Sequence, residues 1–374
     1  MRRISVVLAL CLALGSIQAQ EQKQKKSFKE KLLHYLDSSN VMGTDPAYIG
    51  LPEKKWAVTL NSSTDQMHLN METHIDEVTE VSKTHDIYDI GVKIKPPVAT
   101  SLGFYVGYRG WGGGYSLSLS GNDGINMSFN IATPSNGVNI RWRRFSFYEP
   151  QFGVYDMSID GENKGSIETI LSLEQPMKIE SFVLDGYWIF NQKRFSLAAA
   201  YGQSVIQKRS AGSFIAGLMA YYQKFDLSQP QSVMLLSGSF EGVGKLKIYQ
   251  GSLGAGYTYN WVPTPGLVIN AVAMPVVSLI NYMKVDQYTS DIDIPPEGFE
   301  EGDFTQYLIT NHSDSHSTWG RIRLNMDMRA SITYWYRNWF INAMGQIHSF
   351  SSSYEKTDIR MSEWDVKAAI GITF

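Results

Sequence analysis

The chain has 374 residues, a formal net charge of −3, one cysteine, and 21 Tyr, 17 Phe and 9 Trp. This slightly acidic balance argues against a nucleic-acid partner, which would call for a basic surface. With Cys11 as the sole thiol, intramolecular disulfides and multi-cysteine metal sites are excluded.

The N-terminus reads "MRRISVVLALCLALGSIQAQEQ": two arginines, an apolar run from Ile4 to Leu14, then small and polar residues. That run is about half of the ~20 residues a membrane helix requires, so it predicts a secretory signal over 1–19, cleaved after Ala19, although Ile17 is bulky for the −3 position. Cys11 lies inside the signal, and Leu10 before it is too large for a lipid-attachment site. The mature chain then carries no thiol for catalysis or metal binding.

Residues 20–50 follow. In "EQKQKKSFKEKLLHYLDSS", Phe28, Leu32, Leu33 and Leu36 take helical spacing among lysines, which predicts a short amphipathic helix on the periplasmic side. "DPAYIGLPEKK", residues 45–55, reads as a linker into a single domain over 51–374.

From there strand-like segments recur to the last residue, among them "WAVTLNS", "QMHLNMETH", "DIYDIGVKIK", "GVNIRWRRFSF", "RFSLAAAYGQSV" and "LVINAVAMPVVSLINYMK". The most informative is "RIRLNMDMRASITYWYR", residues 321–337. Side chains on a strand alternate between faces, so arginine, asparagine and aspartate share one face while isoleucine, leucine, methionine and tyrosine share the other. Its apolar stripe projects to roughly 25 Å at a tilt of about 40°, the height of the apolar band on an outer-membrane barrel. The final segment, "EWDVKAAIGITF", alternates in the same way and ends on Phe374, like the closing strand of such barrels.

Loop lengths agree in the C-terminal half. With Phe374 on the periplasmic side, 355–361 and 285–319 are outer loops, while 337–339 and 262–266 are short inner turns. A short inner turn at 191–194 would demand an extra strand, for which "SVMLLSGS" is the candidate. The expected fold is therefore all-β: a closed antiparallel transmembrane β-barrel of about twelve strands, with ten and fourteen as alternatives, preceded by a short helix.

The runs "DPAYIGLPEKKW", "GFYVGYRGWGGGYSLSLSG", "FNQKRFSLAAAYGQSVIQKRSAGSF" and "LGAGYTYNW" resemble a Bacteroidetes family catalogued as domain of unknown function 4421, over about residues 45–374. The resemblance implies an outer-membrane barrel and brings no catalytic residue with it.

Strand parity places Arg141, Arg143, Arg321, Arg323, Asp327, Arg329, His348, Glu363, Asp365 and Lys367 toward the lumen. Such a set either lines a selective constriction or neutralises itself across a filled lumen. Both readings keep charge off the lipid face. His348, amid Gln346, Ser349 and Ser351, is the base that a barrel hydrolase or acyltransferase acting on lipid would need, but no enzyme motif surrounds it. The acidic residues of 285–319, with His312, Asp314 and His316, match no defined cation loop, and "YRGWGGGYS" lacks the spacing of a phosphate-binding loop. The sequence reading is a non-enzymatic barrel without cofactor or metal, acting as a narrow solute channel or as an accessory of a surface assembly. Its expected partners are outer-membrane lipid and lipopolysaccharide, and the barrel-assembly machinery reached through the strand that ends at Phe374.

Overall fold

The computed structural model describes residues 37, 42–79, 84–159, 162–163, 167–234, 242–293, 307–354 and 357–374. The expected signal and most of the expected helix lie outside the described residues. Twelve antiparallel strands form one closed wall. In chain order they are β1 (Trp56–Thr79), β2 (Ala99–Tyr108), β3 (Trp111–Ser120), β4 (Asp123–Ala132), β5 (Asn136–Phe147) and β6 (Met177–Ile189). They continue as β7 (Ala211–Asp226), β8 (Val243–Thr264), β9 (Leu267–Ile292), β10 (Arg323–Tyr336), β11 (Trp339–Tyr354) and β12 (Thr357–Thr373). Neighbours in sequence pair around the ring, and β12 closes on β1 from Thr373 opposite Ala57 to Thr357 opposite Thr73. Closure leaves no open edge, so the wall satisfies its own backbone.

The alternation read from 321–337 appears along β10. Leu324, Met326, Met328, Ile332, Tyr334 and Tyr336 point outward and are exposed, while Asn325, Asp327, Ser331, Thr333 and Trp335 are buried. Exposed and half-buried aromatic rings gather at two heights. One group includes Trp56, Trp188, Phe214, Trp261, Tyr336 and Trp339, near the end that carries the tight turns. The other is a ladder from Tyr222 through Tyr249 and Tyr282 to Trp319, with centroids 5.0, 5.8 and 5.2 Å apart. From Tyr249 to Tyr259 along β8, about ten rises of ~3.3 Å at a tilt of ~40° span roughly 25 Å between the two heights.

Tight turns cluster at one end of the barrel. Arg109 (φ 47°) and Gly110 (φ 86°) join β2 to β3, and Gly266 (φ 85°) helps join β8 to β9, positive angles that match the twist of a two-residue hairpin. At the opposite end the wall runs on past the two aromatic heights. Thr84–Lys95 pairs with the upper part of β1, Gln151–Ile159 pairs with Thr84–Lys95, and Ile167–Ile170 pairs with the start of Gln151–Ile159. Leu308–Trp319 continues the line of β10 against the upper part of β9. Lys247 (3.1 Å), Lys284 (3.5 Å) and the Ser315 hydroxyl (2.7 Å) converge there on Asp286. Burial pushes the Asp286 carboxyl up, but the Ser315 and Lys247 hydrogen bonds and the lysine charges outweigh it and hold it below the usual carboxylate range.

Several expected boundaries shift. The supposed loop 285–319 is strand over its described parts other than Asp293 and Tyr307, with 294–306 outside the described residues. Thr357 to Met361, expected in an outer loop, belong to β12. The strand expected from Arg321 starts at Arg323, after a three-residue interruption at 320–322.

The largest departure is at 190–210. The turn expected at 191–194 is present, but the strand "RFSLAAAYGQSV" expected after it is not: the stretch 195–207 folds inward at the tight-turn end. It carries the short helix α1 (Ala198–Tyr201), and Ile206–Gln207 pairs with Ile49–Gly50. Phe195, Ala199 and Ala200 are fully buried at 0% exposure. The Ala200 carbonyl accepts hydrogen bonds from Thr333 Oγ1 and Asn342 Nδ2, both at 3.1 Å, and Asn260 Nδ2 donates to the Ser196 carbonyl at 2.9 Å. Three successive alanines make a helix slim enough to sit inside the ring, and they offer none of the polar alternation that a wall strand needs. The expected linker joins this plug: the Asp45 amide donates to the Lys193 carbonyl at 2.7 Å, and Ile49 is buried. Ser232 and Met234 of "SVMLLSGS" lie in a helical turn, and twelve strands close without an extra one.

Candidate functional site

The interior is layered from the tight-turn end upward. The plug comes first, held by Thr333, Asn342 and Asn260 as above. Beside it, β6, β7 and β9 contribute a buried apolar cluster that includes Val183, Ile215, Met219, Tyr221, Val272 and Met274. Across from that cluster lies a cavity of ≈ 220 Å³, lined chiefly by β1 to β5, β11, β12 and the plug.

Above the cavity sits a layer of ion pairs. Arg143 on β5 bridges two carboxylates, Glu363 on β12 and Asp65 on β1, the latter at 2.5 Å. Arg329 on β10 grips Asp327 through Nε to Oδ1 (3.1 Å) and Nη2 to Oδ2 (2.7 Å), and also lies 3.6 Å from Asp185 on β6. His348 Nδ1 is 3.3 Å from the second face of the same group, Asp327 Oδ1. Asp327 and His348 are opposite one another in the β10–β11 register, which is why a strand pairing alone brings them together.

Beyond the ion pairs the lumen becomes apolar. Met67, Leu69 and Met71 of β1, Phe145 and Phe147 of β5, Leu246 and Ile248 of β8, Met283 of β9 and Met361 of β12 pack into one buried cluster. It is a core in the ordinary sense, built inside the ring because the odd-numbered positions of β1 change from Thr59, Asn61 and Asp65 to Met67, Leu69 and Met71 along the strand.

The residues expected on the lumen side fall as follows. Arg143, Asp327, Arg329, His348 and Glu363 meet in the ion-pair layer, while Arg141, Asp365 and Lys367 line the cavity beneath it. Arg323 stands higher, 2.5 Å from Asp358. Arg321 does not join them: it sits in the interruption at 320–322 and is exposed, because alternation is lost where the strand is broken. Sequence reasoning missed Asp65, Asp185 and Asp358, the partners of these arginines. Asp65 and Asp185 follow the parity of their strands, but only the register across the ring shows which arginine each meets.

Arg141 and Lys367 differ from the other lumen cations. Neither forms an ion pair or hydrogen bond with a described residue, though both line the cavity beside Asp365. "YRGWGGGYS" turns out to be the β2–β3 hairpin and cavity wall. Gly112 leaves the space that the Tyr105 ring occupies, since a side chain there would fall on its hydroxyl. Among the described residues no group of three or more His, Cys, Asp or Glu is arranged to hold a metal. His316 contacts Asp314 at 3.2 Å and His312 contacts Ser315 at 3.0 Å.

Fold and interior thus define a class: a twelve-stranded antiparallel barrel with an apolar exterior and an interior filled by its own side chains and plug. The chain belongs to the family described as domain of unknown function DUF4421, whose model matches residues 43–374. The two segments that form the plug, 45–55 and 191–210, lie within that match. None of the curated proteins is similar to the chain in sequence. Among solved structures it is similar to the outer membrane protease OmpT from Escherichia coli, at 10% identity and a TM-score of 0.36, covering 86% of this chain and 97% of that one. It is also similar to an outer membrane channel from Pseudomonas putida F1, at 9% identity and a TM-score of 0.31, covering 87% and 98%. A third is the translocator domain of the autotransporter NalP from Neisseria meningitidis, at 9% identity and a TM-score of 0.30, covering 84% and 88%. Likenesses this distant carry no argument about activity.

Proposed function

We propose that this chain is a bacterial outer-membrane barrel that keeps its lumen closed and works without catalysis, as a structural or accessory component of the cell surface. The observation that carries this reading is the stacked filling of the lumen by plug, ion pairs and apolar core. An ion crossing the barrel would have to pass the plug, then a layer whose charges already satisfy one another, then a core that offers it no hydration. The apolar outer band between two aromatic heights supports placement in a bilayer, and tight turns on one side with extended strands on the other support a periplasmic plug. In that setting the outward face of β12, with Val366, Ile370 and Phe374 exposed, is the surface that lipid and the assembly machinery would meet.

The hydrolase alternative has less support. His348 is buried and paired with Asp327, and no serine or threonine hydroxyl hydrogen-bonds to it among the described residues. The space beside it is ≈ 10 Å³, too small for an acyl chain. Purified protein in a planar bilayer is expected to give no current steps while showing heat-modifiable migration on gels, the sign of a closed barrel. Discrete, ion-selective steps from such protein would overturn the closed-lumen reading.

A further inference from the structure

We propose that the outer surface of the plug is a docking face for a hydrated, carboxylate-rich polymer, the peptidoglycan of the cell wall, a partner that rests on the periplasmic placement of the plug given above. The chain as a whole is slightly acidic, with a formal net charge of −3, yet its charge is unevenly placed. At the tight-turn end the plug exposes Lys193, Arg194, Lys208 and Arg209. The rim around it adds Lys54, Lys55, Arg109 and Arg337. Among the described residues Asp45 and Glu53 are the side-chain carboxylates of this end, so the cations are in excess even with a terminal carboxylate at Phe374 counted. Toward the opposite end cations are met by carboxylates, as Lys93 is by Glu168 (3.4 Å), Lys247 by Asp286 (3.1 Å) and Arg360 by Glu72 (3.6 Å). None of the four plug cations has a carboxylate within ion-pair distance among the described residues.

The backbone beneath these four cations is fixed. Gln207, at 0% exposure, donates from Nε2 to the carbonyls of Arg194 (2.6 Å) and Arg209 (3.0 Å), while its Oε1 accepts from the Ser196 amide and from Asn260 Nδ2 of the wall, both at 3.1 Å. One buried amide therefore pins both arginines to the barrel. The turn at 45–48 gathers their side chains: the Arg194 and Arg209 guanidinium carbons lie 5.2 and 5.8 Å from the Tyr48 ring centroid, and Lys208 Nζ donates to the Pro46 carbonyl at 3.0 Å. Asp45, the carboxylate of this turn, instead accepts the Ala47 amide at 2.9 Å. Like charges held together in this way set up a positive field that favours an anion over the plug.

Position and surroundings select the kind of anion. The plug is bonded to the inside of the wall through Thr333, Asn342 and Asn260. Lipid headgroups surround such a ring and do not lie across its mouth, so what meets this face comes from the water beyond it. A folded protein partner would call for exposed apolar anchors. The other exposed residues of the plug are Pro46, Ala47 and Glu53, with Met42 just before it as the one large apolar side chain. A hydrated polyanion needs no such anchor, because guanidinium groups take carboxylates bidentately and weak pairs repeated along a polymer reinforce one another. On the periplasmic side, peptidoglycan is the polymer with that chemistry, through the free carboxylates of its peptides.

The test is co-sedimentation of the full chain, folded in detergent, with purified Gram-negative sacculi. Saturable pelleting at ~50 mM salt, at least tenfold weaker at ~500 mM, is the expected result. Lys193→Gln/Arg194→Gln/Lys208→Gln/Arg209→Gln should weaken it at least tenfold. Lys93→Gln/Lys224→Gln/Lys284→Gln/Arg360→Gln, which removes the same charge from the opposite end, should change it less than twofold. Heat-modifiable migration checks that each variant is folded. Sacculi whose carboxylates are capped as amides should bind the wild type at least tenfold more weakly, a comparison that stands even if the plug variant does not fold. No pelleting, an equal loss in both variants, or undiminished binding to capped sacculi would each overturn the site. Preference of phosphatidylglycerol micelles for the wild type over the plug variant, with sacculi showing none, would assign the face to lipid headgroups and overturn it as well. In intact cells a bulky maleimide that does not cross the outer membrane should leave Lys208→Cys unlabelled; labelling would overturn the placement of the plug and with it the wall as partner. Current steps in the planar bilayer would overturn the closed lumen and leave this site standing, so the two readings fail separately.

Discussion

Replacing Arg143 by methionine isolates the ion-pair layer from the rest of the barrel. The arginine side chain is 10% exposed and stands between Glu363, at 6%, and Asp65, at 14%. Removing one partner of a buried pair costs about 3–5 kcal/mol, because the remaining charge is left uncompensated. Here two carboxylates would remain, so relief by protonation has to be weighed. At pH 7 a carboxyl of ordinary pKa near 4 takes up a proton at a cost of about 4 kcal/mol, which is of the same size and offers no escape. Arg143→Met is therefore expected to lose about 4 kcal/mol at pH 7. In the variant the proton stabilises the folded state more than the unfolded one, so the loss shrinks as pH falls, by roughly 2–3 kcal/mol between pH 7 and pH 5. Adding Asp65→Asn and Glu363→Gln removes the uncompensated charges and should restore most of the stability. The assay is urea-driven unfolding of the barrel in phospholipid vesicles, followed by tryptophan fluorescence at both pH values. A loss under about 1 kcal/mol at pH 7, or one that is the same at pH 5, would refute the account of Arg143 as the clamp of a buried carboxylate pair.

Two other substitutions probe the exterior and the plug. Met328→Arg puts a charge on the outward face near the middle of β10 and should cost roughly 2–4 kcal/mol in the same assay; a negligible change would mean that this face does not meet lipid. Thr333→Val with Asn342→Leu removes the two bonds that tie the Ala200 carbonyl to the wall, leaving only Gln203 Nε2 of the plug itself at 3.0 Å, at about 0.5–1.5 kcal/mol for each bond lost. Trypsin should then cut the folded protein faster at Lys193, Arg194, Lys208 and Arg209, and cleavage at the wild-type rate would show that these bonds do not hold the plug.

Much of this protein was legible from alternation alone. A strand has two faces, so "RLNMDMRASITYWY" announces which side chains point to lipid and which to the interior without knowledge of any neighbour. The same reasoning gave twelve strands, although one of the segments counted toward them, "RFSLAAAYGQSV", turned out to be plug. The number of strand-like segments exceeds twelve, and the excess is removed in the same way elsewhere: "WAVTLNS" and "QMHLNMETH" join into the single strand β1. Errors fell where local pattern is ambiguous: an alanine-rich apolar run fits either a short buried helix or a fully buried strand, and only the space available decides. The extensions beyond the bilayer were mistaken for loops for a related reason. Polar stretches such as "HSDSHST" are strand only because the upper part of β9 supplies a partner.

The amino-acid sequence by itself determined the fold class, the outward apolar face and the inward set of charges, because these follow from a period of two along each strand. Tertiary structure decided what the interior is. Whether an inward arginine lines the cavity, as Arg141 does, or is the centre of an ion pair, as Arg143 is, depends on carboxylates from strands far away in the chain. Asp65 and Glu363 reach Arg143 from the first and last strands of the ring. Those meetings are set by register and closure, properties of the whole ring that no single strand carries.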